Sequence, residues 1–314
     1  MSDRPSISRR SQPLTCILNG AAGSSRALQA ESQLVDLFGR HGAVANIVVA
    51  REGKDIAALA RRAVEEGNAV VVGAGGDGTM NAVAGALVGT DTAMGILPLG
   101  TLNHLAKDLN IPLDLEAAVA TILTGRVKRI DVGEVNGRIF LNNSSIGIYP
   151  WIVHERQKEE RKGYGKWGAF WRALISVARR YSFFHVRLAV DKREEPEART
   201  PFVFIGNNKY ESEGLSIGSR KALDRGELWV YRGPPASRSR LALLALQHLL
   251  GATGAGGLAI SDAQQVWVRT KAARLAVATD GEVNFLDMPL RYHTRPGALG
   301  VIVPADDRDT PPAE

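Results

Sequence analysis

The sequence predicts an α/β domain with a doubly wound parallel sheet, followed by a mostly antiparallel β-sandwich domain. In the first part of the chain, short apolar runs alternate with amphipathic segments, which is the pattern of βαβ units. From about Arg129 onward the apolar runs follow one another with few helical patterns between them, as antiparallel strands do. A length of 314 residues also favours two domains over one.

The α/β domain is predicted over residues 14–128, with residues 297–304 returning to it. Ala69–Gly73 is wholly apolar, which is typical of a strand buried on both faces of a parallel sheet. Apolar residues at helical spacing predict a helix over Met80–Val88. The predicted strands are Leu14–Asn19, Val44–Val49, Ala69–Gly73 and Met94–Pro98, and the predicted helices are Arg26–Gly39, Asp55–Glu66 and Met80–Val88.

The β-rich domain is predicted over residues 129–296. The dipeptide Asn136-Gly137 between two apolar runs predicts a hairpin with a type I′ turn, made of Ile130–Val135 and Ile139–Asn143. The polar ends, residues 1–13 and 305–314, are predicted to be flexible. Further strands are predicted at Val186–Asp191, Pro201–Gly206, Leu228–Tyr231, Gln265–Thr270, Arg274–Ala278, Pro289–Thr294 and Leu299–Pro304, and helices at Gly168–Arg180 and Ser237–Leu250.

Composition excludes several classes of protein. The net charge of +6 is too small to require a nucleic-acid partner. The single cysteine, Cys16, excludes an intrachain disulfide and a cysteine-based metal cluster. The first residues lack the apolar run of a signal peptide, and no apolar stretch approaches the roughly 20 residues that span a bilayer. These features predict a cytoplasmic protein.

The turn Gly75–Thr79 is the most informative stretch, because it follows a buried strand and opens a helix. Glycines allow close approach of a ligand to the backbone, and the helix start offers free N–H groups, so the turn predicts an anion site. Gly73, Gly75 and Gly78 match the dinucleotide pattern G-x-G-x-x-G, but that pattern belongs in the first βα turn and this is the third. Asp77 would repel phosphates unless a metal intervened, which points to Mg²⁺ held by nucleotide phosphates.

Two other turns strengthen this site. Asn19–Gly23 ends the first predicted strand, and Pro98–Asn103 ends the fourth. All three turns follow the carboxyl ends of parallel strands, where open α/β sheets bind ligands.

The chain resembles the diacylglycerol kinase catalytic-domain family, which includes bacterial lipid kinases and the sphingosine and ceramide kinases. The resemblance rests on Gly75–Thr79, then Pro98–Asn103 and, near the end, Asp280-Gly281-Glu282, and it extends roughly from Leu14 to Pro304. Phe140–Asn143 and Ile205–Asn208 also sit where family members carry similar strands. The turn Gly75–Thr79 alone is shared with NAD kinases.

The resemblance implies that ATP binds in the cleft between the two domains and that the β-rich domain binds a lipid. It implies Glu282 as the general base that accepts a proton from a lipid hydroxyl. We assign Asp77 and Asp280 to Mg²⁺ and the nucleotide phosphates, because both carboxylates of the triplet can reach the cleft across the turn at Gly281. The residues implied in ATP binding are Asn19, Gly75, Gly76, Asp77, Gly78, Thr79, Asn81 and Thr101.

Three positions depart from the family pattern. Gly20 replaces a proline, and Ala50-Arg51 stands where a nucleotide-contacting threonine is usual. Arg225 takes the place of an acid with which many bacterial members hold a structural Mg²⁺, and the adjacent Asp224 would point elsewhere on a strand.

The segment Trp151–Tyr181 is basic and aromatic. It carries eight Lys and Arg against three Glu, a net charge of +5, together with Trp151, Trp167 and Trp171. This composition is typical of an interfacial membrane element, and equally of an amphipathic helix packed on the sandwich. A peripheral contact with the inner face of the membrane is one expectation.

The leading interpretation is an ATP- and Mg²⁺-dependent lipid kinase that transfers the γ-phosphate to a lipid hydroxyl. An NAD kinase-like enzyme is one alternative, although the turn Pro98–Asn103 and the triplet Asp280-Gly281-Glu282 fit it poorly. A non-catalytic regulator that binds nucleotide or lipid is another. The sequence leaves open both the identity of the lipid and the oligomeric state.

Overall fold

The computed structural model describes residues 13–20, 24–147, 184–191, 193–210, 212–213, 216–217, 220–233 and 259–305. The basic segment Trp151–Tyr181 and the predicted helices Gly168–Arg180 and Ser237–Leu250 lie outside these residues, as do residues 1–12 and 306–314. Within the part of the chain that is described, none of the helices has the length and apolar character needed to span a bilayer.

The helices are α1 (Ser24–Arg40), α2 (Ile56–Glu65), α3 (Asp77–Leu87), α4 (His104–Asp108) and α5 (Leu115–Thr124), with a short 3-10 turn at Gly53–Asp55. The strands are β1 (Leu14–Asn19), β2 (Asn46–Ala50), β3 (Val70–Gly75), β4 (Ala93–Pro98), β5 (Arg126–Val135), β6 (Arg138–Phe140), β7 (Asn143–Gly147), β8 (Phe184–Val190), β9 (Arg193–Glu194), β10 (Ala198–Thr200), β11 (Phe202–Asn207), β12 (Ser212–Glu213), β13 (Ser216–Ile217), β14 (Leu228–Arg232), β15 (Ala259–Ala263), β16 (Gln265–Arg269), β17 (Arg274–Thr279), β18 (Glu282–Asp287) and β19 (Leu290–Val303).

The chain divides into two compact units. The first unit contains the described residues up to Ile130 and those from Gly297 onward, and the second contains Asp131–Pro296. Each unit has its own hydrophobic core.

The first unit is built on a parallel sheet with strand order β2-β1-β3-β4. Every residue of β3 and β4 is buried, as the wholly apolar strand pattern predicts. Beyond β4, Val301 of β19 pairs in parallel with Met94. Helices α1 and α5 contribute Phe38 and Ile122 to the core, and α3 buries the apolar stripe that its spacing predicts. The α/β fold class is therefore confirmed for this unit.

The second unit is a sandwich of antiparallel strands. One sheet has the order β15-β14-β11-β7-β17-β18, and the other face is formed by β10-β8-β16-β19. Alternate residues of both sheets meet in one core, for example Val203 and Val230 from the first with Leu188 and Val266 from the second. This arrangement confirms the predicted antiparallel sandwich.

Three predicted strands differ from the structure. The hairpin turn at Asn136-Gly137 forms as predicted, with φ of 46° and 83°, but its second strand ends at Phe140 rather than Asn143. The chain leaves the ladder there because the next N–H groups bind the carboxylate of Asp280. The predicted strands Pro289–Thr294 and Leu299–Pro304 form a single strand, β19, in which Pro296 and Gly297 are accommodated.

Candidate active site

The turn between β3 and α3 is shaped by its glycines. A Cβ on Gly75 would lie only 2.3 Å from Thr79 Oγ1, so no larger residue fits while the helix keeps this start. Gly76 precedes the first helical residue in an extended conformation, and no side chain caps the helix. The first N–H groups of α3 therefore remain available to an anion.

The turn Pro98–Asn103 packs directly against the turn Gly75–Thr79. Leu99 N donates to Gly75 O at 3.0 Å, and a Cβ on Gly100 would lie 2.4 Å from the Cα of Gly76. Asn103 holds the turn closed, because its Oδ1 accepts from Gly100 N at 3.0 Å while its Nδ2 donates to Gly100 O at 2.9 Å. The two turns are thus joined through their backbones, and the approach requires glycine at position 100.

Asn19 links the turn after β1 to the turn Gly75–Thr79. Its Nδ2, at the end of β1, donates to Thr79 Oγ1 at 3.0 Å. A Cβ on Gly20, the residue after it, would lie 2.9 Å from Ala50 O, so the departure from proline at this position comes with a close backbone approach. Thr101 is exposed in its turn. The structure therefore brings together the three strand ends whose residues were predicted to bind nucleotide.

Two buried acceptor atoms in this site have no partner. The Oδ1 atoms of Asp77 and Asn81 are both shielded from solvent, and neither accepts a hydrogen bond. The two residues are four apart on α3, so their side chains lie on the same face of its first turns. Buried acceptors without a donor are uncommon and call for an explanation such as an ion or a ligand.

The triplet Asp280-Gly281-Glu282 forms the tight turn of the β17–β18 hairpin. Asp280 and Gly281 have φ of 47° and 85°, as a type I′ turn requires, and Thr279 pairs with Glu282 across it. Glu282, the predicted base, is exposed at the start of β18.

The carboxylate of Asp280 is fully engaged by backbone N–H groups. Oδ2 accepts from Leu141 N at 2.7 Å, and Oδ1 accepts from Asn142 N at 2.8 Å and Asn143 N at 3.0 Å. Burial raises the pKa of the Asp280 carboxyl above its usual range, while these three donors and the positive charge of Arg220 oppose the rise. The predicted role of Asp280 toward Mg²⁺ stays a prediction, because the three hydrogen bonds of its carboxylate are to backbone N–H groups.

Arg220 completes this arrangement from the other side. Its side chain is 2% exposed and donates to Leu141 O at 2.6 Å, to Asn207 O at 2.9 Å and to Asn142 Oδ1 at 2.7 Å. We call Asp280, Arg220 and the segment Leu141–Asn143 between them the Asp280–Arg220 clamp. It fixes the turn from which Glu282 extends. Sequence reasoning missed Arg220, which lies in no recognisable motif.

The loop around Asp224 and Arg225 is held by a second buried acid. Asp131 N donates to Leu223 O at 2.7 Å, and Asp131 Oδ2 accepts from Gly226 N at 2.6 Å. Asp131 is 1% exposed, whereas Asp224 and Arg225 are exposed. No motif in the sequence points to Asp131, although it anchors the loop that contains Asp224 and Arg225.

Comparison with known proteins identifies the family. The family model for the diacylglycerol kinase catalytic domain matches residues 13–135. A protein of Pseudomonas aeruginosa named "Probable lipid kinase YegS-like" is 34% identical over 257 residues, covering 78% of this chain and 82% of that one. The chain belongs to the diacylglycerol kinase catalytic-domain family. A relative of the same name from Pseudomonas fluorescens is 30% identical over 266 residues, covering 81% and 84% of the two chains.

Solved structures share the fold of this kinase family. A diacylglycerol kinase from Bacillus anthracis superposes with a TM-score of 0.70 at 21% identity, covering 93% of this chain and 97% of that one. An NAD kinase from Archaeoglobus fulgidus in complex with ATP gives a TM-score of 0.52 at 10% identity, covering 92% and 93%. Both likenesses concern the fold. The family predicted from the three motifs is confirmed, and the prediction that the protein is a kinase is supported with it.

Proposed function

We propose that the protein is an ATP- and Mg²⁺-dependent lipid kinase that transfers the γ-phosphate of ATP to a lipid hydroxyl. The observation that carries this proposal is the meeting of three strand ends at an uncapped helix start, beside the two unpartnered oxygens of Asp77 and Asn81. The names of the relatives, which are lipid kinases, support the acceptor class.

In this proposal the first unit binds and orients the nucleotide. The free N–H groups at the start of α3 and the glycine turn Gly75–Thr79 bind phosphate oxygens. Asn19 orients the Thr79 hydroxyl by the 3.0 Å hydrogen bond between them. Phosphoryl transfer is mainly a matter of positioning and of neutralising charge, which this site is suited to do.

The site residues fit a magnesium ion. Mg²⁺ prefers oxygen ligands and is commonly held by one or two carboxylates together with substrate phosphates. The carboxylate of Asp77 and the amide oxygen of Asn81 are such donors. No group of three His, Cys, Asp or Glu that could hold a metal occurs among the described residues, so phosphate oxygens would complete the coordination. When bound, the ion would neutralise charge on the transferring phosphoryl group.

The second unit supplies the proposed base. Glu282 would accept the proton of the lipid hydroxyl, and the Asp280–Arg220 clamp would hold the turn that carries it. Asp280 is therefore a positioning residue in this proposal, because its oxygens already accept three N–H groups. A carboxylate that accepts this proton contributes about 10²–10⁴-fold to the rate.

The test is phosphate transfer from ATP to a panel of diacylglycerol, phosphatidylglycerol and a sphingoid base, with NAD as a separate acceptor. Wild-type protein should phosphorylate at least one lipid. Asp77→Asn should lose both ATP affinity and turnover, whereas Glu282→Gln should bind ATP normally and turn over about 10²–10⁴-fold more slowly. Asp91→Asn, at an exposed acid of the first unit, is the matched control and should behave as wild type.

Two outcomes would replace the proposal. Phosphorylation of NAD without lipid phosphorylation would make the protein an NAD kinase. Binding of ATP with no transfer to any acceptor would make it a non-catalytic regulator. If Glu282→Gln weakens ATP binding but turns over normally at saturating ATP, Glu282 is a binding residue and not the base.

A further inference from the structure

An exposed sheet face in the second unit carries three arginines around one tryptophan. Alternate residues of β16 and β8, such as Val266 and Leu188, enter the core, so their neighbours point outward. The outward residues include Trp267, which pairs with Arg291 of β19, and Arg269, which pairs with Arg187 of β8. We call Arg187, Trp267, Arg269 and Arg291 the Arg–Trp face.

Two of the three guanidinium groups of this face, those of Arg269 and Arg291, lie over the indole ring of Trp267. The central carbons of the Arg291 and Arg269 guanidiniums lie 4.9 Å and 5.6 Å from the centre of the Trp267 ring. The nearby acid is Glu194, whose Oε1 is 3.7 Å from Arg269 Nη1. Within the described part of the chain, no carboxylate lies at ion-pair distance from Arg187 or Arg291. Three positive charges therefore meet one negative charge.

Flanking basic residues on the same unit differ from Arg187 and Arg291 because they are already paired with carboxylates. His185 Nδ1 lies 3.2 Å from Glu197, and Arg295 Nη1 lies 3.4 Å from Glu134. An arginine in an ion pair already donates some of its N–H groups to the carboxylate. An arginine stacked on an aromatic ring keeps its in-plane N–H groups available, and these match the geometry of a phosphate bidentately. The face thus presents guanidinium N–H groups that are available to an external anion.

The shape of the surface favours an extended partner. Arg187, Trp267 and Arg269 converge with Glu194 on a shallow depression of the sheet rather than on an enclosing pocket. Such a surface can touch several headgroups at once, and an indole ring is suited to the depth of lipid headgroups. We propose that the Arg–Trp face docks the protein on an anionic membrane surface. This inference rests on the proposed lipid kinase function, because a lipid substrate must be reached at a bilayer.

The test is sedimentation of the full chain with phosphatidylcholine vesicles that contain or lack phosphatidylglycerol. The variant carries Arg187→Gln, Arg269→Gln and Arg291→Gln together. The control carries Arg40→Gln, Arg62→Gln and Arg129→Gln, which removes the same charge from three exposed arginines that are paired with Glu116, Glu66 and Asp91. All six sites are exposed, and thermal melting checks that both variants fold.

At low salt the face variant should bind phosphatidylglycerol vesicles about 100-fold more weakly than wild type, as expected for three arginines near a charged surface. The control variant should bind within a few-fold of wild type. Equal losses in the two variants would reduce the effect to net charge and overturn the proposal, as would no loss in the face variant.

Two further measurements separate this inference from the proposed function and from another partner. Phosphorylation of a short-chain lipid in detergent micelles should be unchanged in the face variant, since none of its residues belongs to the proposed catalytic machinery. If wild type binds anionic vesicles through this face but phosphorylates no lipid, the kinase proposal fails while the docking surface stands. A single-stranded oligonucleotide that binds the face more tightly than vesicles do would assign it to nucleic acid instead.

Discussion

Replacing Asp280 tests whether its carboxylate holds the protein together or serves a metal. In Asp280→Asn, the remaining oxygen can still accept from Asn142 N and Asn143 N. The new amide NH₂ then faces Leu141 N, which donates at 2.7 Å in the wild type. One hydrogen bond to a charged group is lost and two donors are opposed, which should cost about 2 kcal/mol of stability.

A larger truncation should cost more. Asp280→Ala leaves three backbone N–H groups and the guanidinium of Arg220, which is 2% exposed, without the carboxylate. Breaking a buried charged arrangement of this kind costs about 3–5 kcal/mol, a large share of the roughly 5–15 kcal/mol that stabilises a typical domain. The matched control is Asp287→Asn on the same hairpin. Its carboxylate is 81% exposed and pairs with Arg274 at 3.0 Å, so its loss should cost less than about 1 kcal/mol.

Urea unfolding followed by tryptophan fluorescence measures these differences in stability for the second unit. All five tryptophans lie between Trp151 and Trp267, within the residues of the second unit, so the signal reports on the unit that contains the clamp. The measurement is made without nucleotide or Mg²⁺. Equal midpoints for Asp280→Asn and Asp287→Asn would refute the structural role. Restoration of Asp280→Asn activity by raised Mg²⁺ would favour the metal role instead.

Two further predictions concern the first unit. Gly100→Ala should weaken ATP binding at least 10-fold, because its Cβ would lie 2.4 Å from the Cα of Gly76. The control Gly39→Ala, with nothing within 4 Å of its Cβ, should leave ATP binding unchanged. Isothermal calorimetry measures both affinities, and equal values would show that the contact between the turns is dispensable. Cys16 should not react with a thiol reagent at mildly alkaline pH until urea is added, because its side chain is 0% exposed and burial raises the pKa of its thiol to about 12; rapid labelling of the native protein would mean that β1 opens readily.

The elements that could be predicted from sequence are those whose burial alternates or persists locally. β3 and β4 are continuous apolar runs, and the turn at Asn136-Gly137 needs positive φ at both positions, which the residue types supply. Helix α5 was not predicted, since its alanine- and threonine-rich sequence shows little periodicity, although Asp114 caps it by accepting from Ala117 N. Helix α4 is only five residues long and gives too short a pattern.

The candidate site was predictable where a residue type signals its own conformation. Glycine and asparagine at strand ends pointed to the three turns of the first unit. The Asp280–Arg220 clamp was not predictable, because Asp280 binds N–H groups 137 to 139 positions earlier in the chain. Backbone donors have no sequence signature, and a buried arginine such as Arg220 looks like a surface residue until the fold encloses it.

Strand β19 delays completion of the first unit during synthesis. Val301 pairs with Met94 of β4, Ile302 joins the core, and Gly89 N donates to Ala298 O at 2.9 Å. These residues leave the ribosome after the whole of Asp131–Pro296, an interval of about 10–30 s at usual rates of translation. Until then one edge of β4, a strand of six buried residues, has no partner on that side. An apolar strand edge of this kind is a template for wrong pairing, so the nascent chain is exposed to aggregation in this window.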